Sequence, residues 1–126
     1  MNNFTITITT LLLLFSASLN AQVRLLMETS EGDIAIDLYT DSAPITAGNF
    51  LSLVDGRHLD GASFYRVVSA ENDKGTPIIE VIQGGLGDRA SEFASIEHES
   101  TEQTGILHTD GVISMARAAV GSASTE

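Results

Sequence analysis

At 126 residues the chain has room for one domain, and its 43% apolar content allows a packed core. Seventeen acidic against 6 basic residues give a formal charge of −11, a sign that repels phosphate backbones and anionic lipid and so excludes nucleic acid and charged membrane surfaces as natural partners. With no cysteine there is no disulfide, thiol nucleophile, thiolate metal site or lipid-attachment thiol, and the fold rests on its core alone.

Residues 1–21 carry no charged side chain. Leu11-Leu12-Leu13-Leu14-Phe15 is followed by the small-residue stretch Ser16 to Ala21. An apolar run with a small-residue end reads as a secretory signal. It is too short to span a membrane, which needs about 20 apolar residues. Cleavage after Ala21 would leave Gln22 first, and cleavage after Ser18 is the alternative, because Leu19 is large for a position beside a processing site. The competing reading is a buried strand, since Thr5 to Thr9 alternates. The reading places a signal peptide at 1–21 and one domain at 22–126, exported to the periplasm or secreted.

Val23 to Glu28 is apolar and strand-like, Ser30-Glu31-Gly32-Asp33 is a turn, and Ile34, Ile36 and Leu38 alternate with Ala35, Asp37 and Tyr39. Together they predict a hairpin with one buried face. Pro44 suits the first position of a helix, Ala47, Phe50, Leu51 and Val54 recur at helical spacing, and Gly56 supplies a stop. The helix is predicted over Pro44 to Asp55. Ser63 to Val68 and Ile78 to Gln83 read as strands around the polar loop Glu71 to Gly75, and Val112 to Ala116 as a further short strand. Residues 86–105 read as irregular and polar. Five or six strands with one helix predict a mostly β domain closed as a barrel. His58, His98 and His108 form no ligand cluster. The acids Glu97, Glu99 and Glu102 lack calcium-loop spacing and read as a solvated loop. No metal and no cofactor are expected.

Five blocks carry a resemblance. Gly32-Asp33-Ile34 with Leu38 is similar to the opening hairpin of the cyclophilin family, and Ala43-Pro44-Ile45-Thr46 with Asn49-Phe50-Leu51-Ser52-Leu53 to its first helix. Phe64-Tyr65-Arg66-Val67-Val68 resembles the strand that bears the family's catalytic arginine, and Val81-Ile82-Gln83-Gly84-Gly85 the next strand. His108-Thr109-Asp110-Gly111 leading into Val112-Ile113-Ser114-Met115-Ala116 resembles the strand on the substrate side. The blocks fall in family order across residues 23–126. The resemblance implies a cyclophilin-like antiparallel β-barrel and peptidyl-prolyl cis/trans isomerisation that assists folding of exported proteins. It implies proline-containing polypeptides as substrates and a monomer. The alternative is a cyclophilin-fold module that binds proline peptides with little turnover.

By that resemblance Arg66 and Gln83 are the catalytic pair, and Phe64, Val81, Ala116, Arg117 and Glu126 contact substrate. The chemistry suits those residue types. Rotation about X–Pro is slow because amide resonance sets a barrier of about 18–20 kcal/mol. No bond is made or broken, so the requirement is to hold the twisted amide better than either planar isomer. The twisted nitrogen has a free lone pair, to which a fixed guanidinium donates. Arginine keeps its charge between apolar neighbours where lysine can lose a proton. A preorganised donor of this kind supplies about 3–4 kcal/mol.

The chain departs from the family pattern at several points. Its link from Ser69 to Pro77 is longer, Glu80 and Val81 stand where phenylalanine and methionine are common, Arg117 where asparagine is frequent, and Glu126 where glutamine is usual. It stops at Ser124-Thr125-Glu126, where the family continues with a paired-phenylalanine strand, an aromatic or leucine loop, a histidine and a second helix. The expectation is a carboxy-terminally truncated member lacking that helix and the closing strands. Such a chain has an unpaired strand edge and exposed core, and is expected neither to fold stably nor to isomerise at an appreciable rate.

Overall fold

A computed structural model describes residues 22–117, 119 and 121–123. The signal reading at 1–21 and the substrate role of Glu126 lie outside the described residues. The chain runs β1 (Gln22–Thr29), β2 (Gly32–Tyr39), α1 (Pro44–Asp55), β3 (Ser63–Val68), β4 (Val81–Gly85), a 3-10 turn (Gly87–Glu92), β5 (Ile96–Glu97), α2 (Thr101–Thr104) and β6 (Ser122–Ala123). The content is mostly strand with one main helix. The strands pair as three antiparallel two-stranded sheets, β1–β2, β3–β4 and β5–β6, and the described residues form no closed barrel.

The β1–β2 hairpin turns tightly between Thr29 and its partner Gly32. Gly32 takes a φ of 124°, a conformation that side chains disfavour. The Thr29 hydroxyl donates to the Gly32 carbonyl at 2.6 Å and accepts from the Glu31 N–H at 3.1 Å, which closes the turn. Val23 lies opposite Leu38 and Leu25 opposite Ile36. This period-2 face packs on α1, so Ile36, Leu38 and Ala47 form a buried cluster flanked by Val23, Leu25, Met27, Phe50 and Leu51. On the other face Arg24 forms a bidentate ion pair with Asp37 at 2.7 and 2.8 Å. That guanidinium bond, helped by the Arg24 charge, holds the Asp37 carboxyl below its usual range against the opposing effect of burial.

The helix spans the predicted residues, but its ends differ from expectation. Its most buried side chain is Leu53, 3% exposed, one position from the predicted Val54, which is half-buried. Gly56 does not stop the helix by a left-handed turn, since it keeps right-handed geometry (φ −74°) and the positive φ, 57°, falls on Arg57. A Cβ at position 56 would lie 2.5 Å from the His58 ring, so a larger residue there would make that ring shift. At the other end Ala43 offers no side-chain cap, and the cap comes from Glu99, whose carboxylate accepts from the Ile45 and Thr46 N–H groups at 3.1 and 2.8 Å. This corrects the solvated-loop reading of that acid. Burial raises the Glu99 pKa, but the N–H groups of Thr46 and Ile45 and the Thr46 hydroxyl outweigh it, so the carboxyl sits below its ordinary value.

Three further expectations are corrected. Residues 86–105 are not irregular throughout. They hold the 3-10 turn, β5 and α2, with Ser100 and Gln103 closing a reciprocal capping box at 2.8 and 3.3 Å. Val112 to Ala116 is not a strand, because among the described residues no strand pairs with it and an extended segment needs a ladder to become one. β4 starts at Val81 rather than Ile78, because the Ile79 N–H bonds the Asp73 carboxylate instead of a neighbouring strand.

Candidate functional site

The β3–β4 hairpin carries the candidate site. Five residue pairs set its register, among them Phe64↔Gly84, Arg66↔Gln83, Val67↔Ile82 and Val68↔Val81, with a bulge at Tyr65. The bulge absorbs one residue of β3 and re-aims the side chains beyond it. As a result Arg66 and Gln83 are direct cross-strand partners, and the Arg66 Nη1 donates to the Gln83 Oε1 at 3.2 Å. The guanidinium is solvent-exposed and makes no ion pair within 4 Å among the described residues, so its remaining N–H groups are available as donors. One neutral carboxamide orients it without neutralising it.

Phe64 and Val81 flank the pair, and both are exposed. Gly84 lets Phe64 lie across the hairpin, because a Cβ at 84 would sit 2.6 Å from the Phe64 ring and 2.9 Å from the Ser63 carbonyl. After β4 the chain anchors through buried Leu86 and through Arg89, whose Nη1 donates to the His58 carbonyl at 3.2 Å. His58 in turn meets Phe93 edge-on, ring centroids 4.9 Å apart. His58 is thereby a packing residue between the end of α1 and the 3-10 turn.

The other named positions lie elsewhere. Arg117 lines a cavity of about 220 Å³ with Thr46, Glu99, His108, Ile113 and Met115, beside the start of α1. Neither Arg66 nor Gln83 lines it. Ala116 is half-buried in a segment with no strand pairing. The structure therefore brings together Arg66 and Gln83, with Phe64 and Val81 on the same two strands, and does not place Ala116 or Arg117 in the hairpin. Among the described residues no group of three or more His, Asp or Glu side chains is placed to hold a metal ion, and no helix is long and apolar enough to cross a membrane.

Two residues missed by the sequence reading are Asn72 and Asp73, in the loop between the site's strands. The Asn72 side chain accepts from the Ser69 N–H at 2.9 Å and donates to the Val67 carbonyl at 3.2 Å. The Asp73 carboxylate accepts from Ile79 at 2.7 Å and from Gly75 at 2.8 Å. Those backbone donors, Ile79 first, hold its carboxyl below the usual range against the effect of burial, with smaller help from the Lys74 N–H and the Arg66 charge. The legible signal was two adjacent Asx residues in a loop, a pattern that favours side chain-to-backbone bonds.

A guanidinium steered by a carboxamide across a hairpin, in a mostly-strand domain with one main helix, is a site that offers hydrogen-bond donors. Residues 24–126 match the family model for the cyclophilin type peptidyl-prolyl cis-trans isomerase/CLD, and the chain belongs to that family. It is 34% identical over 108 residues to a peptidyl-prolyl cis-trans isomerase of Acinetobacter baylyi, covering 83% of this chain and 52% of the relative. It is 33% identical to a peptidyl-prolyl cis-trans isomerase-like 1 of Rhizopus delemar (75% of this chain, 55% of the relative). To the peptidyl-prolyl cis-trans isomerase ppi1 of Schizosaccharomyces pombe it is 34% identical (73% and 57%). The chain spans about half the length of the curated relatives it matches. No solved structure matches it.

Proposed function

We propose that the chain acts in peptidyl-prolyl cis/trans isomerisation, with Arg66 donating to the prolyl nitrogen of a twisted X–Pro amide and Gln83 holding the guanidinium in place. The observation that carries this reading is the Arg66–Gln83 hydrogen bond between direct cross-strand partners. A planar amide nitrogen offers no lone pair, so a donor fixed at that nitrogen favours the rotation transition state over both ground states. Phe64 and Val81 supply apolar contact to the proline ring. Ala116, Arg117 and Glu126 are assigned to the residues around the proline by the cyclophilin resemblance alone.

The substrates in this reading are proline-containing segments of exported polypeptides, met by a monomer outside the cytoplasm after removal of residues 1–21. The charge of −11 supports the exclusion of nucleic acid. The three separate sheets belong, in the same proposal, to an antiparallel barrel. Its support is the apolar surface left open on them, with Val67 62% and Ile82 69% exposed.

Cooperative thermal unfolding of the parent together with measurable turnover in a coupled proline-peptide assay would overturn the expectation that the chain neither folds stably nor isomerises. Arg66→Ala in the same assay tests the catalytic reading. A loss of about 10²–10³ in kcat/KM is expected, with circular dichroism unchanged. Arg66→Lys should not restore the rate, since a point ammonium lacks the planar donor set. The second reading, a peptide binder with little turnover, is favoured by the openness of the hairpin, where Arg66, Phe64 and Val81 all face solvent. Under that reading the starting rate is already low and Arg66→Ala leaves it unaltered.

A further inference from the structure

The hairpin that carries Arg66 and Gln83 lacks the short turn that ordinarily fixes strand register. Register follows from a short turn or from burial of one face. Residues 69–80 separate the two strands, so no tight turn sets the pairing. Among the described residues Val67, Val81 and Ile82 are exposed along with Phe64 and Tyr65, so the described contacts do not set it by burial, and closure of the proposed barrel would add to the bonds that follow without replacing them. A slip of one residue would move Gln83 to the face opposite Arg66.

Two neighbouring side chains gather the ends of this loop. Asn72 holds the end of β3, through the Val67 carbonyl and the Ser69 N–H. The backbone N–H groups of Asn72 and Asp73 add bonds to the Ser69 carbonyl at 3.0 and 2.8 Å. Asp73 holds the approach to β4, using one carboxylate oxygen for Gly75 and the other for Ile79, two residues before Val81. Because 72 and 73 are covalent neighbours, the end of β3 and the start of β4 are tied to one point.

We infer that Asn72 and Asp73 form a clasp that sets the β3–β4 register and thereby positions Arg66 against Gln83. They are positioning residues and touch no substrate. As a statement about turnover this rests on the isomerase reading, whereas as a statement about register it stands on the hydrogen bonds alone.

The test is nuclear magnetic resonance on the full chain, comparing the parent with Asp73→Ala, Asp73→Asn and Asn72→Ala. Asparagine has a single acceptor oxygen, so Asp73→Asn can keep only one of the two carboxylate bonds. In Asp73→Ala the Ile79 amide should exchange about tenfold faster, the scale of one lost hydrogen bond to a charged group. Arg66–Gln83 cross-strand contacts should weaken in all three variants, while the Val23–Leu38 and Leu25–Ile36 contacts of β1–β2 persist. A Val67→Cys/Ile82→Cys cross-link, placed on exposed register partners in a chain without other cysteines, should restore the Arg66–Gln83 contact in Asp73→Ala. Any isomerase kcat lost should return with it at little-changed KM. Arg66–Gln83 contacts that survive all three variants would overturn the clasp, as would a parent lacking them or a cross-link that fails to restore them. Simultaneous loss of the β1–β2 contacts would also overturn it, by showing a global role. A parent with the contacts but no turnover would leave the clasp standing and remove the isomerase reading.

Discussion

Two hairpins of this chain are both built from largely apolar, strand-forming sequences and end in opposite environments. The β1–β2 hairpin lays Val23, Leu25, Ile36 and Leu38 against α1 and closes with a two-residue turn. The β3–β4 hairpin presents Phe64, Val67, Val81 and Ile82 to solvent and closes through a long loop held by Asn72 and Asp73. The first is held by apolar burial, which is non-directional and roughly proportional to area. The second is held by directional bonds at its ends, and it bears the arginine. The lesson is a division of labour in which one hairpin supplies stability and the other supplies geometry.

The sharpest way to break this comparison is to delete side chains from matched places. Leu38→Ala should cost about 2–5 kcal/mol in chemical unfolding, whereas Val67→Ala, at 62% exposure, should stay within about 0.5 kcal/mol. Equal costs would mean that both hairpins are buried in solution. Next in size is Gly84→Ala, whose Cβ must displace the Phe64 ring or the Ser63 carbonyl. A cost of about 1–3 kcal/mol is expected for such overpacking, read as loss of β3–β4 contacts with those of β1–β2 intact.

A smaller effect should come from Glu99→Gln. The carboxylate caps α1 across the fold through Ile45 and Thr46. Removing its charge should cost about 1 kcal/mol, visible in hydrogen exchange of the first turn of α1.

The smallest effects should appear in acid. Asp37, Asp73 and Glu99 all have carboxyls held below their ordinary range. A depressed folded-state pKa means that the unfolded chain takes up protons first as the pH falls. The stability contributed by these groups is therefore complete above the usual carboxylate range of about 4 and is lost as the pH drops through their lowered values. Thermal unfolding followed between neutral pH and pH 3 should show this loss, and Asp37→Asn together with Glu99→Gln should flatten it. Asp73 should report on β3–β4 alone, through a fall in acid of the Ile79 protection factor, which corrects for the slower intrinsic exchange at low pH.

Much of the first half was legible in sequence. The alternation in Ile34, Ile36 and Leu38 and the spacing of Ala47, Phe50 and Leu51 are local patterns, and β1, β2, α1 and β3 fall where those patterns end. Arg66 and Gln83 were legible through resemblance to cyclophilins and not through pattern, because an arginine on a strand is ordinarily a surface residue. Glu99 was hidden for a different reason. It caps a helix more than fifty residues earlier, and no local window contains both partners. Asn72 and Asp73 were readable as loop formers, but their use as a register device depends on where Val67 and Ile79 lie in space.

The sequence by itself determined the family, the positions of the helix and of three of the four long strands, and the identities of the polar pair, since each rests on residue type and local period. The tertiary structure alone decided that Val112 to Ala116 has no strand partner among the described residues, that Ile79 belongs to a clasp and not to a ladder, and that Arg66 meets Gln83 at 3.2 Å. The physical reason is common to all three. A hydrogen bond needs its partner within about 3 Å, and only the folded chain fixes which distant groups come that close.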